Sequence, residues 1–302
     1  MKKNRIIIVG GTGFIGFHLS KFFLKKKWEV ICVSRKKVKK LKFLKGVKYI
    51  NADITKKNQL IKKLNNYKNI EYLINSGGEV DHKNKKKVFM SHYKGVKNLI
   101  SIFKKSNLKK FVQIGSSLEY GKNISPQYEK SKCKPISFYA KAKFLATKYL
   151  LDLDKNTIPV VIVRTYQVYG PHQDLNRFIP IIINGCLRNK RFPCSKGLQK
   201  RDFLFIDDFI RGIFNLMINN QTKGEIYNIG FGKPIQTKKI IFLIKNSIKK
   251  GIPDFGKIKM RKEENMTTYP SIKKIFGIIG WKPKITLKAG IIKTIKYYKK
   301  IK

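Results

Sequence analysis

Three side chains in the middle of the sequence have the types and spacing of a proton-transfer site. Tyr139 and Lys143 are four residues apart in a segment predicted to be helical, so they share one helix face. A free tyrosine has a pKa near ~10, and lowering it to ~7 takes about 4 kcal/mol of stabilisation of the phenolate. A neighbouring ammonium supplies part of that energy, which makes Tyr139 a candidate general acid and base. The third residue, Ser116, follows an apolar run that resembles a strand.

A glycine-rich turn near the N-terminus predicts a ligand site. Residues 6–9 are continuously apolar and β-branched, as in a strand that is buried on both faces. Glycines follow at G-x-x-G-x-x-G spacing, and residues 14–27 have the pattern of an amphipathic helix. Such glycines let the backbone approach a pyrophosphate, which rests on the helix N-terminus; the alternative is a tight turn without a ligand. The predicted cofactor-binding residues of this turn are Gly10, Gly13, Phe14, Ile15 and Gly16.

The end of the second predicted strand bears on which dinucleotide binds. A carboxylate there usually accepts hydrogen bonds from the ribose of NAD. Here the chain has Ser34 and Arg35 without an acid, and a guanidinium matches the geometry of a 2′-phosphate. The sequence therefore favours NADP over NAD, although Arg35 can equally belong to the lysine-rich background. After the third strand, Asp53 and Ile54 are further cofactor-binding candidates; Asp53 is predicted to accept a hydrogen bond from an adenine amine or to cap a helix from Thr55.

The order of the predicted elements indicates an α/β fold with a doubly wound parallel sheet. Strand-like apolar runs alternate with helical segments, which is the pattern of such a sheet. The predicted strands are residues 6–9, 29–34, 47–51, 71–75, 111–114 and 160–164, and a helix is predicted over residues 85–105. In an open parallel sheet, ligands bind at the carboxyl ends of the strands, which is where Ser116 lies.

The composition is unusual in its charge. The 302 residues include 68 Lys and Arg against 17 Asp and Glu, a net charge of +51 that attracts polyanions such as RNA. The lysines are spread along the whole chain beside many Ile and Asn, so a solvated coat is favoured over a nucleic-acid surface. No apolar run is long enough for a membrane span or a signal peptide, which predicts a cytoplasmic protein. The four cysteines form no C-x-x-C pair, so no metal site or disulfide framework is predicted.

Together these motifs resemble the extended short-chain dehydrogenase/reductase family, in its group of nucleotide-sugar epimerases and dehydratases. Later segments match the family in order: residues 164–171 resemble R-x-x-N-V-Y-G-P, 201–208 resemble R-D-F…V-x-D, 227–230 a returning strand, and 279–283 Leu-Gly-Trp-x-Pro. The resemblance implies a Rossmann sheet in 3-2-1-4-5-6-7 order within residues 1–165. It implies a smaller C-terminal substrate-binding domain in residues 166–302, from which 203–230 return to the Rossmann domain. A homodimer and a role in polysaccharide biosynthesis are also expected.

The resemblance implies roles for single residues. Ser116 would hydrogen-bond the reacting sugar oxygen, Tyr139 would transfer its proton, and Lys143 would hold the cofactor ribose and lower the tyrosine pKa. The implied substrate-binding residues, of which the two arginines would clamp the diphosphate, are Ser117, Gln167, Arg201 and Arg261. His92 stands where the family usually has asparagine, and a partly buried, hydrogen-bonded histidine is favoured there over a catalytic one.

The choice of reaction depends on the residues that follow Ser116. Family dehydratases carry an acidic pair there, whereas this chain has Ser117 and Leu118, with Glu119 one place out of register. Dehydration is therefore disfavoured, and the predicted reaction is NAD(P)-dependent epimerisation of a nucleotide-linked sugar through a transient keto intermediate, at C4. The alternatives are an NADPH-dependent reductase of a 4-keto-deoxy nucleotide sugar, a reductase of small carbonyl compounds, and an RNA-binding protein on the same fold.

Overall fold

The computed structural model describes residues 3–67, 69–79, 81, 83–153, 158–259 and 264–301. The strands are β1 (Arg5–Val9), β2 (Glu29–Ser34), β3 (Val47–Asn51), β4 (Tyr72–Asn75), β5 (Lys110–Ile114), β6 (Val160–Thr165), β7 (Gln167–Tyr169), β8 (Arg191–Cys194), β9 (Lys200–Arg201), β10 (Phe203–Phe205), β11 (Glu225–Ile229), β12 (Ile235–Gln236), β13 (Ile252–Phe255) and β14 (Thr267–Thr268). The α-helices are α1 (Phe14–Lys25), α2 (Lys57–Leu64), α3 (Lys85–Phe89), α4 (Gly95–Phe103), α5 (Phe138–Leu151), α6 (Phe178–Leu187), α7 (Ile206–Ile218), α8 (Thr237–Ile248), α9 (Lys273–Ile279) and α10 (Leu287–Lys300).

Seven strands form the main sheet in the order β3-β2-β1-β4-β5-β6-β11. Every neighbouring pair in it is parallel. Strand β1 lies in the interior of the sheet and places Ile7 between Ile31 of β2 and Leu73 of β4. This is the predicted 3-2-1-4-5-6-7 order with β11 as the seventh strand, so the α/β fold with a doubly wound parallel sheet is confirmed.

Side chains of β1 alternate between two hydrophobic cores, one on each face of the sheet. Ile6 and Ile8 belong to the core that includes apolar residues of α1 and α7. Ile7 and Val9 belong to the other core, which is lined by α2, α4 and α5. All four are at most 2% exposed, and burial of each contributes ~1.5–3 kcal/mol. The two-sided burial explains why the strand is apolar throughout.

The turn between β1 and α1 depends on close backbone packing. Gly10 has a φ of +77°, and a Cβ there would lie 2.8 Å from the Cα of Gly77, which follows β4. A Cβ on Gly16 would lie 2.2 Å from the carbonyl oxygen of Gly10. Helix α1 therefore lies directly on the turn, and both positions require glycine.

The helix predicted over residues 85–105 contains a change of register. Helices α3 and α4 are joined by a π-helical turn at Met90–Lys94, which contains the buried Ser91 and His92. The predicted helical segment is thus observed from Lys85 to Phe103, and the π turn within it was not predicted because it leaves no mark on the apolar spacing. Such turns often occur at functional sites.

Three small sheets lie outside the main one: β7 pairs with β10, β9 with β12 and β14, and β8 with β13. The C-terminal family motif is tied to α7, where the backbone amides of Lys284 and Ile285 donate to the carboxylate of Asp208 at 2.9 and 2.7 Å. The indole of Trp281, 1% exposed, donates to the Asp208 carbonyl. The division of the chain at residue 166 stays a prediction. In the described ranges, no helix is both long and apolar enough to cross a bilayer.

Candidate active site

Ser116 lies directly after β5, in a short turn that fixes its direction. Its hydroxyl accepts the Leu118 amide at 3.2 Å, and its own backbone N–H donates to the Glu119 carboxylate at 2.8 Å. These two contacts form a capping box around a 3₁₀ turn over Ser117–Tyr120. The structure therefore holds Ser116 at the carboxyl end of the sheet, as the sequence predicts.

Tyr139 and Lys143 extend from one face of α5 towards this turn. The helix begins with Ser137, whose hydroxyl accepts the Ala140 amide. The Ser116 hydroxyl acts to lower the pKa of the Tyr139 phenol, so the two groups face each other. The Lys143 ammonium lies 5.9 Å from the centre of the tyrosine ring and donates to the Ile114 carbonyl at 2.7 Å. The three predicted catalytic residues are thus brought together.

The protein groups alone leave the pKa of Tyr139 raised, so the lowering expected from the sequence stays a prediction. Burial raises this pKa to about 12, although the Ser116 hydroxyl acts in the opposite direction. Burial also lowers the pKa of Lys143 to about 8, while the Glu119 carboxylate acts to raise it. Because the ammonium is bonded to a backbone carbonyl rather than to the phenol, it compensates little of the tyrosine's loss of solvation.

Glu119 is buried beneath the site and does not face it. One carboxylate oxygen accepts the Ser116 amide, and the other accepts the Thr147 hydroxyl at 2.9 Å and the Arg164 Nε at 3.0 Å. The glutamate is 0% exposed and Arg164 is 1% exposed. Glu119 therefore joins the Ser116 turn, helix α5 and strand β6, and its lone pairs are taken by these partners.

His92 packs against Tyr139. The two rings meet edge to face, with centroids 4.9 Å apart, and the His92 Nε2 is hydrogen-bonded to the Glu79 carbonyl at 3.0 Å. Gly78 leaves room for the imidazole, because a Cβ there would lie 1.9 Å from its Cε1. The prediction of a buried, hydrogen-bonded histidine is confirmed.

The glycine turn fits a dinucleotide. Helix α1 begins at the exposed Gly13 without a side-chain cap, so the first-turn N–H groups, including those of Phe14 and Ile15, are left for an external acceptor. Nearby, the hydroxyls of Thr12 and Ser34 are 2.7 Å apart at the ends of β1 and β2. Uncapped amides beside small side chains suit a bound pyrophosphate.

Two further residues predicted to bind the cofactor, Arg35 and Asp53, contact other side chains of the protein. Arg35 forms an ion pair with Glu79, 2.9 Å between Nη2 and Oε2. Asp53 accepts both the backbone N–H and the hydroxyl of Thr55. The predicted helix cap from Thr55 was wrong, because α2 begins at Lys57 with Lys56 before it.

Ile54 is buried, and its carbonyl accepts the side-chain amide of Asn98, which joins the loop after β3 to α4. A Cβ on Gly95 would lie 2.7 Å from its side chain. Ile54 thus packs against the start of α4.

A cavity of about 190 Å³ opens beside the site on the β7 side. Gln167, a predicted substrate residue, is exposed and lines it together with Arg177 and Phe203. The charge of Arg177 acts to lower the pKa of Tyr139, so this guanidinium lies near the phenol. Ser117 is part of the turn after Ser116. The cavity has the position and the lining for a polar substrate.

Of the two arginines predicted to bind a diphosphate, Arg201 lies within the described residues. Arg201 is 8% exposed and its guanidinium is bound by the Glu264 carboxylate at 2.6 Å and the Met266 carbonyl at 3.2 Å. A substrate phosphate therefore has to share this arginine with Glu264. Arg261 lies outside the described residues.

Sequence reasoning missed Glu79 and Arg177. Glu79 follows the predicted fourth strand at the carboxyl end of the sheet. Arg177 precedes α6, but nothing distinguishes it from the many other basic residues. Position at the end of a strand or the start of a helix was the only available signal.

Comparisons with known proteins agree with the fold. The family model described as "NAD dependent epimerase/dehydratase family" matches residues 6–230. A putative UDP-glucose 4-epimerase of Methanocaldococcus jannaschii is 30% identical, covering 97% of this chain and 98% of that protein. A dTDP-D-glucose 4,6-dehydratase of Mus musculus is 27% identical over 98% of this chain and 89% of its own length. The crystal structure of the Thermotoga maritima UDP-glucose 4-epimerase with UDP-glucose superposes with a TM-score of 0.91, at 22% identity, over 98% of this chain and 99% of that one.

Proposed function

The chain belongs to the NAD-dependent epimerase/dehydratase family of extended short-chain dehydrogenases/reductases, and we propose that it epimerises a nucleotide-linked sugar at C4 through a transient keto intermediate. The substrate class is taken from relatives that are named for UDP-glucose and dTDP-glucose. Relatives named as epimerases and as dehydratases both match almost the whole chain, so the choice between them rests on the residues around Ser116.

The observation that carries the proposal is the inward direction of Glu119. Removing water from a sugar requires a base for the C5 proton and an acid for the departing hydroxyl. The positions that bear this pair in the family's dehydratases are Ser117 and Leu118 here, and Glu119 is committed to Ser116, Thr147 and Arg164. The turn after β5 thus offers hydroxyls and one buried carboxylate, which favours redox chemistry alone.

The proposed mechanism uses Tyr139 as the proton carrier. A bound nicotinamide supplies the acceptor and donor of the C4 hydride. Tyr139 takes the proton of the C4 hydroxyl as the carbonyl forms and returns it as the hydroxyl is restored, so no proton is gained or lost overall. Ser116 donates to the same sugar oxygen and stabilises its developing negative charge. The positive charge of Lys143, on the same helix face, acts in favour of the phenolate, although the protein groups alone leave the pKa of Tyr139 raised.

A 4-keto-sugar reductase is the second candidate, and one observation favours it. Strand β2 ends at Ser34 and Arg35 rather than at a carboxylate, and Lys36 and Lys37 line an adjoining cavity of about 310 Å³. Such a cationic end accepts the 2′-phosphate of NADPH, the usual donor for reductive biosynthesis. In that case the same Tyr139 donates its proton once and is reprotonated from solvent.

The test is to incubate the purified protein with NAD and a panel of UDP-, dTDP- and CDP-linked hexoses in D₂O, and to analyse products by NMR and mass spectrometry. An epimerase yields the C4 epimer without deuterium on carbon, because the hydride returns directly. Loss of water with deuterium at C5 indicates dehydration and overturns the proposal. Turnover that needs a 4-keto substrate and consumes NADPH stoichiometrically identifies the reductase instead.

A further inference from the structure

The ion pair between Arg35 and Glu79 connects two strand ends that are not neighbours. Arg35 follows β2 and Glu79 follows β4, and β1 lies between these strands in the sheet. The pair therefore crosses the carboxyl end of β1, where the turn starting at Gly10 begins. A dinucleotide whose pyrophosphate rests on that turn lies within reach of both charged side chains.

Glu79 is anchored in this position. Its backbone N–H donates to the Ser91 hydroxyl at 2.9 Å, and its carbonyl is bonded to the His92 imidazole at 3.0 Å. One carboxylate oxygen accepts the Asp81 amide at 3.1 Å while the other meets Arg35 at 2.9 Å. The side chain of Glu79 is only 13% exposed, against 44% for Arg35. The carboxylate is thus held by the protein, whereas the guanidinium of Arg35 is the more exposed partner.

We propose that Glu79 sets the cofactor preference, holding Arg35 away from a 2′-phosphate and so favouring NAD over NADP. The inference rests on the dinucleotide binding proposed above. The 2′-phosphate of NADP has to displace the Glu79 carboxylate from Arg35 and then carry its own negative charge beside that acid. The ribose hydroxyl of NAD has no such requirement, since it carries no charge.

The proposal changes how the end of β2 is interpreted. The sequence favours NADP because Arg35 replaces an acid there, yet the structure supplies an acid from β4 to the same arginine. Lys36 and Lys37 remain on the neighbouring cavity with Thr12 and Ser34, so phosphate-binding groups are available once the competition is removed. Glu79 therefore changes the affinity for NADP relative to NAD, rather than the affinity for both dinucleotides together.

The experiment measures Kd for NADH and NADPH by fluorescence titration of the full chain, for wild type, Glu79→Gln, Glu79→Gln/Arg35→Met and Glu29→Gln. Glu29→Gln is the matched control: Glu29 forms an ion pair with Arg5 at 2.9 Å at the opposite edge of the sheet, so it makes the same change in net charge away from the crevice. We expect Glu79→Gln to tighten NADPH binding roughly 3- to 10-fold relative to NADH. The double variant should lose that gain, and Glu29→Gln should not produce it.

Three outcomes overturn the inference. An unchanged ratio of the two Kd values in Glu79→Gln, with both dinucleotides still bound, contradicts the role of Glu79 and leaves the proposed function standing. If NADPH binding is still tightened in the double variant, or is tightened equally in Glu29→Gln, the effect comes from the change in net charge and not from the Arg35–Glu79 pair. Failure of wild type and all variants to bind either dinucleotide overturns both the inference and the proposed function. Thermal denaturation of each variant verifies that it is folded.

Discussion

The carboxylate of Glu119 and the guanidinium of Arg164 form an ion pair that the protein encloses almost completely: the Oε2 and Nε atoms are 3.0 Å apart, and the side chains are 0% and 2% exposed. The pair lies under the Ser116 turn and connects it to β6. The Glu119 carboxylate also accepts the Ser116 backbone amide. The same carboxylate therefore contributes to the stability of the fold and to the position of Ser116.

Glu119→Gln is expected to destabilise the protein strongly. Removing one member of a buried pair leaves an uncompensated charge, which costs about 3–5 kcal/mol in the free energy of unfolding. Thr147→Val is the matched control, because it removes one hydrogen bond to the same carboxylate and costs about 1–3 kcal/mol. Urea denaturation measures both. Equal losses for the two variants would contradict a charge-dominated role for the pair.

Tyr139→Phe is expected to lower turnover by ~10²–10⁴-fold, since the proton carrier is lost. Dinucleotide affinity should change far less, because the glycine turn is untouched. Tyr149→Phe serves as control: Tyr149 lies on the same helix, α5, but its ring packs on Tyr93 away from Ser116. Steady-state kinetics and NADH titration of both variants provide the measurement, and a Tyr139→Phe enzyme with normal turnover would exclude the mechanism.

Gly16→Ala is expected to impair dinucleotide binding. The new Cβ would lie 2.2 Å from the Gly10 carbonyl oxygen, so α1 must move off the turn. Gly277→Ala in α9 meets no heavy atom within 4 Å and should stabilise the protein by about 0.5–1 kcal/mol, as alanine does in a helix. NADH titration and thermal denaturation distinguish the two. Undiminished binding in Gly16→Ala would show that the turn tolerates the displacement.

Acidification is expected to weaken the contacts of His18 and His172. His18 is bonded to the Pro171 carbonyl and His172 to the Tyr297 hydroxyl, and burial lowers the pKa of both histidines from 6.5 to about 4. Between pH 6.5 and about 4 these two histidines bind protons in the unfolded chain but not in the folded chain. The free energy of unfolding is therefore expected to decrease as the pH falls through this range.

Asp202 has the opposite effect on the free energy of unfolding. Burial raises its pKa to about 7, so below that pH the folded chain binds a proton that the unfolded chain does not bind until lower pH. The measurement is therefore a difference: a His18→Gln/His172→Gln variant should lose less stability on acidification than wild type. Parallel stability curves for the two proteins would refute the assignment.

RNA binding, the interpretation that the +51 charge invites, is expected to be electrostatic only. Affinity for a generic RNA should fall steeply with salt and vanish by about 0.15 M, where charges are screened beyond ~8 Å. A salt titration by fluorescence anisotropy tests this. Tight binding that persists at that ionic strength would restore a nucleic-acid function.

The sequence predicted the sheet well because the strands are marked locally. Strands β2 and β3 were predicted with their observed bounds, since β-branched runs end at polar or turn residues. Ser116, Tyr139 and Lys143 were found because parallel strands end at one edge and a four-residue spacing fixes a helix face.

The features that the sequence did not predict depend on contacts between distant parts of the chain. The Glu119–Arg164 and Arg35–Glu79 pairs are 45 and 44 residues apart in sequence, so no local pattern reveals them. The effect of burial on the pKa of Tyr139 is hidden from the sequence for a related reason: burial is a property of the packed site, and the Ile114 carbonyl that binds Lys143 has no signature in the sequence.

The placement of β11 has a consequence for how the protein is made. β11 (Glu225–Ile229) covers the outer edge of β6 (Val160–Thr165), and the cavity lined by Gln167, Arg177 and Phe203 lies on chain synthesised between them. A growing chain that has completed β6 therefore carries an unpaired edge whose residues Val160–Val163 are buried in the finished fold. Such edges template pairing between chains. The nascent polypeptide is thus vulnerable to aggregation until β11 has emerged from the ribosome and paired with β6.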